Sequence, residues 1–393
     1  MPQFLFTINV CSCRNRAGVI GLQTSLSLLE AGYEVTIVAE HFPGDVDDMY
    51  TSPRAGGQWR SHALPGQEQC EWDIQTFKCW KAIVEEEEKT PDLLLERRSG
   101  LAGYESNLYW DDPSHSPEIL ATKNQDPSNL WWAPYVPGFS RLQTPFPSAN
   151  IKAGVTYKSF SFDPPRYIKW LFRRVLLRGI KTVHTKLPTS KGLPHALHVA
   201  RAAALEECRR EGRPFSIPVL FVNATGLGAR NLVPDAAVHP VRGQTLLVRG
   251  EAHRIYTHVM SAGTHLSNEQ IAYALPRNGT GTSLVGGSKQ VGAWDTTEDA
   301  QLSETILQWA KRLAPELCGD NGELDVLSVQ VGLRPGRTGG ARVEKEILKG
   351  CGEDGDDLVI IHSYGHGGSG FQNSVGSATK VVNLVEEHLD TRK

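Results

Sequence analysis

Cysteine is scarce in this chain and poorly placed for cross-linking or metal binding. The 393 residues include seven cysteines (Cys11, Cys13, Cys70, Cys79, Cys208, Cys318 and Cys351), an odd, scattered set without a CxxC pair. Neither a disulfide framework nor a zinc site is expected, no metal is assigned, and a reducing compartment is the default. An excess of one charge is also missing. With 41 basic and 44 acidic side chains the net charge is −3, which argues against nucleic acid or an anionic membrane as a partner. Long apolar runs are absent too: Phe4-Leu5-Phe6-Thr7-Ile8-Asn9-Val10 is too short and polar to span a bilayer and lacks the basic flank of a signal peptide. The end of the chain, Leu389-Asp390-Thr391-Arg392-Lys393, is not a peroxisomal S-K-L type address. No internal repeat or low-complexity tract interrupts the composition, and 40% hydrophobic with 22% charged residues reads as a soluble globular chain of two domains.

Glycine, by contrast, is present in telling places. From Arg16 to Glu40 the chain runs Arg16-Ala17-Gly18-Val19-Ile20-Gly21, then a helical stretch through Leu22, Leu26, Leu28 and Leu29, then Gly32 and the strand Glu34-Val35-Thr36-Ile37-Val38-Ala39. This is the order of a βαβ dinucleotide-binding unit, in which glycines admit the pyrophosphate, the helix N-terminus faces it, and an acidic residue about 20 positions on holds a ribose. Arg16 stands where the first glycine of G-x-G-x-x-G belongs, and the preceding Cys11-Ser12-Cys13-Arg14-Asn15 is polar where a buried first strand should enter the turn. The same pattern also opens ordinary α/β crossovers.

Three more small-residue turns follow. Ser52-Pro53-Arg54-Ala55-Gly56-Gly57 would let backbone approach a ligand closely. The apolar run Ile217-Pro218-Val219-Leu220-Phe221-Val222 leads into Asn223-Ala224-Thr225-Gly226-Leu227-Gly228-Ala229-Arg230, and Leu358-Val359-Ile360-Ile361-His362 into Ser363-Tyr364-Gly365-His366-Gly367-Gly368-Ser369-Gly370-Phe371-Gln372. Turns at the carboxyl ends of strands are where α/β sheets bind ligands, and together the four describe a large anionic cofactor among backbone N–H groups. Elsewhere a helix over 71–89 carries Trp72, Phe77, Trp80 and Ile83 and ends in Glu85-Glu86-Glu87-Glu88. Asp163-Pro164-Pro165 starts another helix, and the β-rich segments of 241–294 suggest an antiparallel sheet.

These motifs resemble the flavin-dependent D-amino-acid oxidases, a family that includes the D-aspartate oxidases, and the likeness is to the fungal members. The match runs from about Ala17 to Glu387 and is carried by Ala17-Gly18-Val19-Ile20-Gly21-Leu22, Asn223 to Arg230, Arg242-Gly243-Gln244-Thr245, Gly332-Leu333-Arg334-Pro335, and His362 to Gly368. The resemblance implies FAD, not NAD, and an α/β fold: a Rossmann-like FAD-binding domain (1–62, 151–232 and 330–393) interleaved with an α+β substrate domain on an antiparallel sheet (63–150 and 233–329). It implies cofactor contacts from Ala17, Gly18, Val19, Ile20, Gly21, Glu40, Ser52, Ala55, Gly56, Gly57, Asn223, Thr225, Gly226, Gly365, Gly367, Gly368, Gly370, Phe371 and Gln372.

A guanidinium offers a planar fork for a carboxylate, and by resemblance Arg334 takes the substrate α-carboxylate together with the Tyr273 hydroxyl. The backbone of Gly368 and Ser369, with Gln372, matches the loop at the flavin's pyrimidine end and the substrate amine. The family passes the α-hydrogen of a D-amino acid, its amine neutral, to the flavin as hydride; the imine hydrolyses and dioxygen reoxidises the flavin to give hydrogen peroxide. That chemistry needs no protein base, so His362 and His366 read as hydrogen-bonded structure. Lys289 stands where neutral-substrate relatives carry an aromatic residue and D-aspartate oxidases an arginine, so it suggests some tolerance of acidic substrates. The alternatives are a D-aspartate oxidase proper, a flavin-deficient inactive homologue because of Arg16, or a related sarcosine or glycine oxidase. Expected partners are a D-amino acid and dioxygen, with no nucleic acid or membrane; a homodimer is compatible, and the location is peroxisomal or cytoplasmic.

Overall fold

A computed structural model of the chain describes residues 7–11, 17–45, 50–144, 146–212, 220–260, 270–352 and 354–391. Along the chain the elements are β1 (Thr7–Cys11), α1 (Val19–Glu30), β2 (Glu34–Ala39), α2 (Gln69–Glu88), β3 (Leu101–Trp110), α3 (Pro117–Leu120), β4 (Ser140–Arg141), β5 (Ala153–Phe162) and α4 (Pro164–Leu177). Next come β6 (Lys181–His184), α5 (Gly192–Arg210), β7 (Leu220–Asn223), α6 (Ala229–Leu232), β8 (Val238–Arg249), β9 (Ile255–Met260), β10 (Gln270–Arg277), β11 (Thr282–Gly286) and β12 (Gln290–Val291). The last are α7 (Ala300–Leu313), β13 (Val326–Arg337), β14 (Arg342–Leu348), β15 (Leu358–Tyr364) and α8 (Gly370–Asp390).

The chain divides into two compact units: Met1–Ser52, Ile168–Pro240 and Pro335–Lys393 form the first, and Pro53–Tyr167 with Val241–Arg334 the second. The division differs in place from the expected one. Residues 53–62 and 151–167, expected with the flavin segments, fall in the second unit, as do 330–334, while 233–240 fall in the first. Backbone pairing explains the first shift: Trp59 N–H donates to Phe160 O at 3.0 Å and Phe162 N–H to Gly57 O at 2.9 Å, which attaches the Gly56-Gly57 turn to β5.

The first unit holds a six-stranded sheet in the order β14-β15-β7-β1-β2-β6. Five strands are parallel, and β14 adds an antiparallel edge beside β15. Chain order reverses at β1, which pairs β2 on one side and β7 on the other. Such a switch point opens a crevice at the strands' carboxyl ends, where ligands of doubly wound sheets bind. Leu193, Ala196, Leu197, Ala200 and Ala204 form one stripe of α5 and pack on Val38, Val183, Phe221 and Ile360. Every residue of β15 is buried, which is why its sequence reads as a continuous apolar run.

The second unit is built on a nine-stranded, largely antiparallel sheet ordered β12-β8-β11-β10-β9-β3-β5-β4, with β13 also pairing β8. On one face Leu302, Ile306 and Ala310 of α7 pack against Leu246, Val248, Ala274 and Val285. That helix starts at Asp299, whose carboxylate accepts from Leu302 N–H at 3.0 Å. The alternation of β10 puts Tyr273 and Leu275 on the other face, with Leu284 and Ile255. The aromatic stripe of α2 packs at the far end of the sheet: Phe77 lies 4.9 Å from Trp59 and Trp80 4.9 Å from Phe162. Among the described residues no helix is long and apolar enough to cross a membrane, and no His, Cys, Asp and Glu cluster could hold a metal ion.

Candidate active site

In the first unit the predicted cofactor residues gather at the carboxyl ends of β1, β2, β7 and β15. Arg16 lies outside the described residues. The turn that follows it is fixed by backbone: Ala17 N–H donates to His41 O at 2.8 Å and the Tyr50 hydroxyl to Ala17 O at 2.6 Å. Gly18 precedes α1 with no side chain capping the helix from that position, and Ser52 Oγ accepts from Val19 N–H at 3.1 Å. Among the described residues no acceptor meets the N–H groups of Ile20 and Gly21. A helix start with open donors and no acidic residue in its first turn is a ready site for an anion.

Glu40 follows β2, half-buried, with its carboxylate 3.1 Å from Lys186 Nζ. That lysine is largely exposed, so the pair contributes little and can exchange for another donor. After β7, Gly226 takes φ +55°, a conformation that favours glycine. Among the described residues the buried Thr225 Oγ1 beside it finds no hydrogen-bond partner. Burying a hydroxyl without a partner costs on the order of 1–3 kcal/mol, so the turn is incomplete without a polar ligand. After β15, Gly365 and Gly367 also take positive φ, and α8 begins at Gly370 with no side-chain cap from Ser369. Gly368 is exposed, while Phe371 and Gln372 are buried in the first turn of α8. These residues fit a dinucleotide with its phosphates at the start of α1: the donors, the orphaned hydroxyl and the acidic residue each have a counterpart on such a ligand.

The second unit holds Ala55, Gly56, Gly57, Tyr273, Lys289 and Arg334. The register across four strands aligns Thr245, Gly286, Tyr273 and Thr257 in one row, and directly opposed residues of antiparallel strands share a face. Glycine inside that row makes room for the Tyr273 ring. A β-carbon on Gly286 would lie 2.5 Å from Tyr273 Cζ, and one on Gly287 2.5 Å from its hydroxyl. Arg334 is held the same way: a β-carbon on Gly243 would meet its guanidinium at 2.4–2.6 Å.

Arg334 Nη1 donates to Ser288 O at 3.0 Å, and the guanidinium faces the Tyr273 hydroxyl. Burial pushes the Tyr273 pKa up, while Arg334 beside it pulls the other way. Among the described residues no carboxylate pairs with Arg334. An arginine with most of its fork unused, packed under a tyrosine hydroxyl, is complementary to a carboxylate.

Sequence reasoning passed over His62. The side chain keeps some solvent access, and its pKa is held well below the ordinary value, first by the protein atoms crowded around it and then by the positive charges of Arg60, Lys289 and Arg334. Arg60 is paired with Glu118 at 2.9 Å. No motif signals His62; only the fold brings residue 62 to the charges at 289 and 334. Among the described residues, therefore, the second unit presents a cationic, carboxylate-ready group, and the first a glycine-lined, anion-ready turn system.

The doubly wound sheet with glycine turns at its strands' carboxyl ends defines a dinucleotide-binding class of fold. The chain belongs to the FAD dependent oxidoreductase family, whose sequence profile matches residues 17–384. It is 29% identical to a D-amino-acid oxidase of Fusarium vanettenii, with 94% of this chain and 95% of that one covered. It is 28% identical to D-aspartate oxidases of Talaromyces thermophilus and of Homo sapiens, each covering 94% of this chain and 93% of the relative. Among solved structures it is similar to a glycine oxidase from Geobacillus kaustophilus, with a TM-score of 0.65, 18% identity, and 97% and 95% of the two chains covered. It is also similar to an L-proline dehydrogenase from P. horikoshii, with a TM-score of 0.66, 14% identity, and 98% and 94% covered. At those identities the structural likeness shows the fold, which is the one expected from the sequence, and the family is FAD-dependent.

Proposed function

We propose that this protein oxidises D-amino acids to 2-oxo acids, ammonia and hydrogen peroxide and that it tolerates acidic side chains. One observation carries the reading: Arg334, set between Gly243 and Tyr273, has no carboxylate partner among the described residues. The names of the relatives at 28–29% identity support the same substrate class. Arg334 and the Tyr273 hydroxyl hold the α-carboxylate. FAD held by the first unit's turns would supply the two-electron acceptor for oxidising the Cα–N bond, with dioxygen as the final oxidant. The protein's share is to bind the carboxylate and orient the α-carbon of an amino acid that reacts with its amine neutral, which is chiefly positioning. Ala17 to Gly21, Glu40, Ser52, Asn223, Thr225, Gly226 and the 365–372 turn of the first unit hold FAD.

A D-aspartate oxidase proper is the narrower reading, and it draws on a specific observation: Lys289 stands among the charges around His62. A lysine recognises a side-chain carboxylate as a point charge, with less geometric grip than arginine. The test begins with colour. Purified protein should be yellow, or become so with FAD, and should release peroxide from D- but not L-amino acids. Protein that stays colourless with excess FAD, or that releases peroxide equally from both enantiomers, would overturn the proposal.

A further inference from the structure

The Asn223 to Gly226 turn is tied to the edge of the first unit's sheet by a chain of buried side chains. Asn223 and His362 are Cα partners on β7 and β15, and both are fully buried. Asn223 Oδ1 accepts from Thr225 N–H at 3.2 Å, and its amide nitrogen lies 3.0 Å from His362 Nδ1. His362 Nε2 lies 2.9 Å from Glu346 Oε2 on β14, and that oxygen also accepts from Arg342 Nη2 at 2.9 Å. The chain continues from Arg342 Nη1 to the Tyr364 hydroxyl at 3.0 Å and from that hydroxyl to Asp235 at 2.9 Å.

Donor and acceptor logic fixes each member. Thr225 N–H can only donate, so the Asn223 oxygen faces it and the Asn223 amide donates toward His362. His362 Nδ1 must then carry a lone pair, and Nε2 must carry the hydrogen and donate it to Glu346. With the tautomer reversed, two donors would meet at Asn223. The amide would have to turn over, and its NH2 would face the Thr225 N–H. Glu346 prevents this by accepting from Nε2, and burial next to Arg342 favours the neutral ring.

We propose that His362, held as the Nε2–H tautomer by Glu346, is a positioning residue for FAD: it locks the Asn223 amide and so the shape of the Thr225–Gly226 turn. The proposal rests on that turn being a cofactor site. Thr225 Oγ1, buried and unsatisfied beside the locked amide, is the atom whose placement is at stake.

The experiment titrates apoprotein with FAD and reads flavin fluorescence quenching, which needs no turnover. His362→Leu removes the acceptor and should weaken FAD binding about tenfold. His362→Asn, which returns an acceptor near the Nδ1 position, should recover most of that loss. Glu346 is partly exposed at the sheet edge and is suited to substitution without harm to the core. Glu346→Ala should weaken FAD several-fold, while Glu346→Gln, which keeps an acceptor, and Glu344→Ala, which removes a carboxylate that hydrogen-bonds Arg342 and not the His362 ring, should bind as the unmodified protein does. The inference is overturned if Glu346→Ala binds FAD normally, or if His362→Asn is no better than a folded His362→Leu. Thr225→Ala separates the two layers: unchanged FAD affinity in that variant refutes the turn as a cofactor site, whereas weakening there with normal binding in Glu346→Ala refutes the role of His362 alone.

Discussion

A β-carbon at Gly243 would lie 2.4 Å from Arg334 Nη1, and the atom it meets is the far end of a flexible side chain. Gly243→Ala is therefore expected to move the guanidinium rather than unfold the sheet. Its thermal midpoint should stay close to that of the unmodified protein, while KM for D-amino acids rises at least about tenfold, the scale of a lost charge-assisted hydrogen bond. FAD affinity should not change, because the displaced group serves the substrate; a parallel loss of flavin would place Arg334 elsewhere in the chemistry. Lys289 is tested by a ratio instead of a rate. If it meets a side-chain carboxylate, Lys289→Met should lower kcat/KM for D-aspartate relative to D-alanine by about tenfold, and an unchanged ratio would remove its role. Arg334, Tyr273 and Lys289 could all be named from local motifs and resemblance. Gly243 as the cradle and His62 beside Lys289 could not, because each depends on which side chain comes from a distant strand or loop.

The β15–α8 turn has its own pH signature. His366 is buried, and burial depresses its pKa to about 4, with a hydrogen bond involving Asn373 opposing the shift. Because the folded value lies below the unfolded value near 6.5, the unfolded chain binds a proton between pH 4 and 6.5 that the folded chain refuses. The neutral ring's stabilisation is therefore complete above pH 6.5 and lost as pH falls through the folded pKa, by up to about 1.4 kcal/mol per pH unit inside the window. Carboxylates with lowered pKa values, such as Glu346 and Asp235, add an acid loss of their own, so the difference between variants is the informative quantity. Denaturant melts at pH 7 and pH 5 should show a smaller acid loss for His366→Gln than for the unmodified protein. Equal losses would mean that the ring titrates normally. Elements of this kind were legible from composition: the glycines of 365–370 and the apolar run of β15 mark a strand, a turn and a helix start. The position of Ala55 to Gly57 was not, because pairing to β5, a tertiary fact, takes that turn into the second unit.

At the scale of the whole molecule, the βαβ order of the first unit and the antiparallel sheet of 241–294 were legible from periodicity and turn chemistry, the Rossmann-like class came from the resemblance, and the switch at β1 is seen only in the sheet order. What the sequence left out was where the units divide, since burial partners rather than local pattern decide it. One sequence feature stands against that βαβ order. Arg16 occupies the position where a dinucleotide fingerprint has its first glycine, and it lies outside the described residues, next to a turn already closed by Ser52, His41 and Tyr50. Its charge favours a phosphate, but its bulk and its poor fit to positive φ oppose close backbone approach. Bulk should dominate, because the open N–H groups of α1 already supply donors for the anion. Arg16→Gly is accordingly expected to tighten FAD binding. By linkage, each tenfold gain in affinity adds about 1.4 kcal/mol to folding stability at a fixed excess of FAD and nothing without it. Thermal melts with and without FAD separate this from a general stabilising effect: a gain seen only with FAD identifies the turn, and an equal gain in both identifies a backbone effect unrelated to the cofactor. If neither appears, Arg16 is tolerated as it stands, and the remaining turns hold the cofactor without the missing glycine.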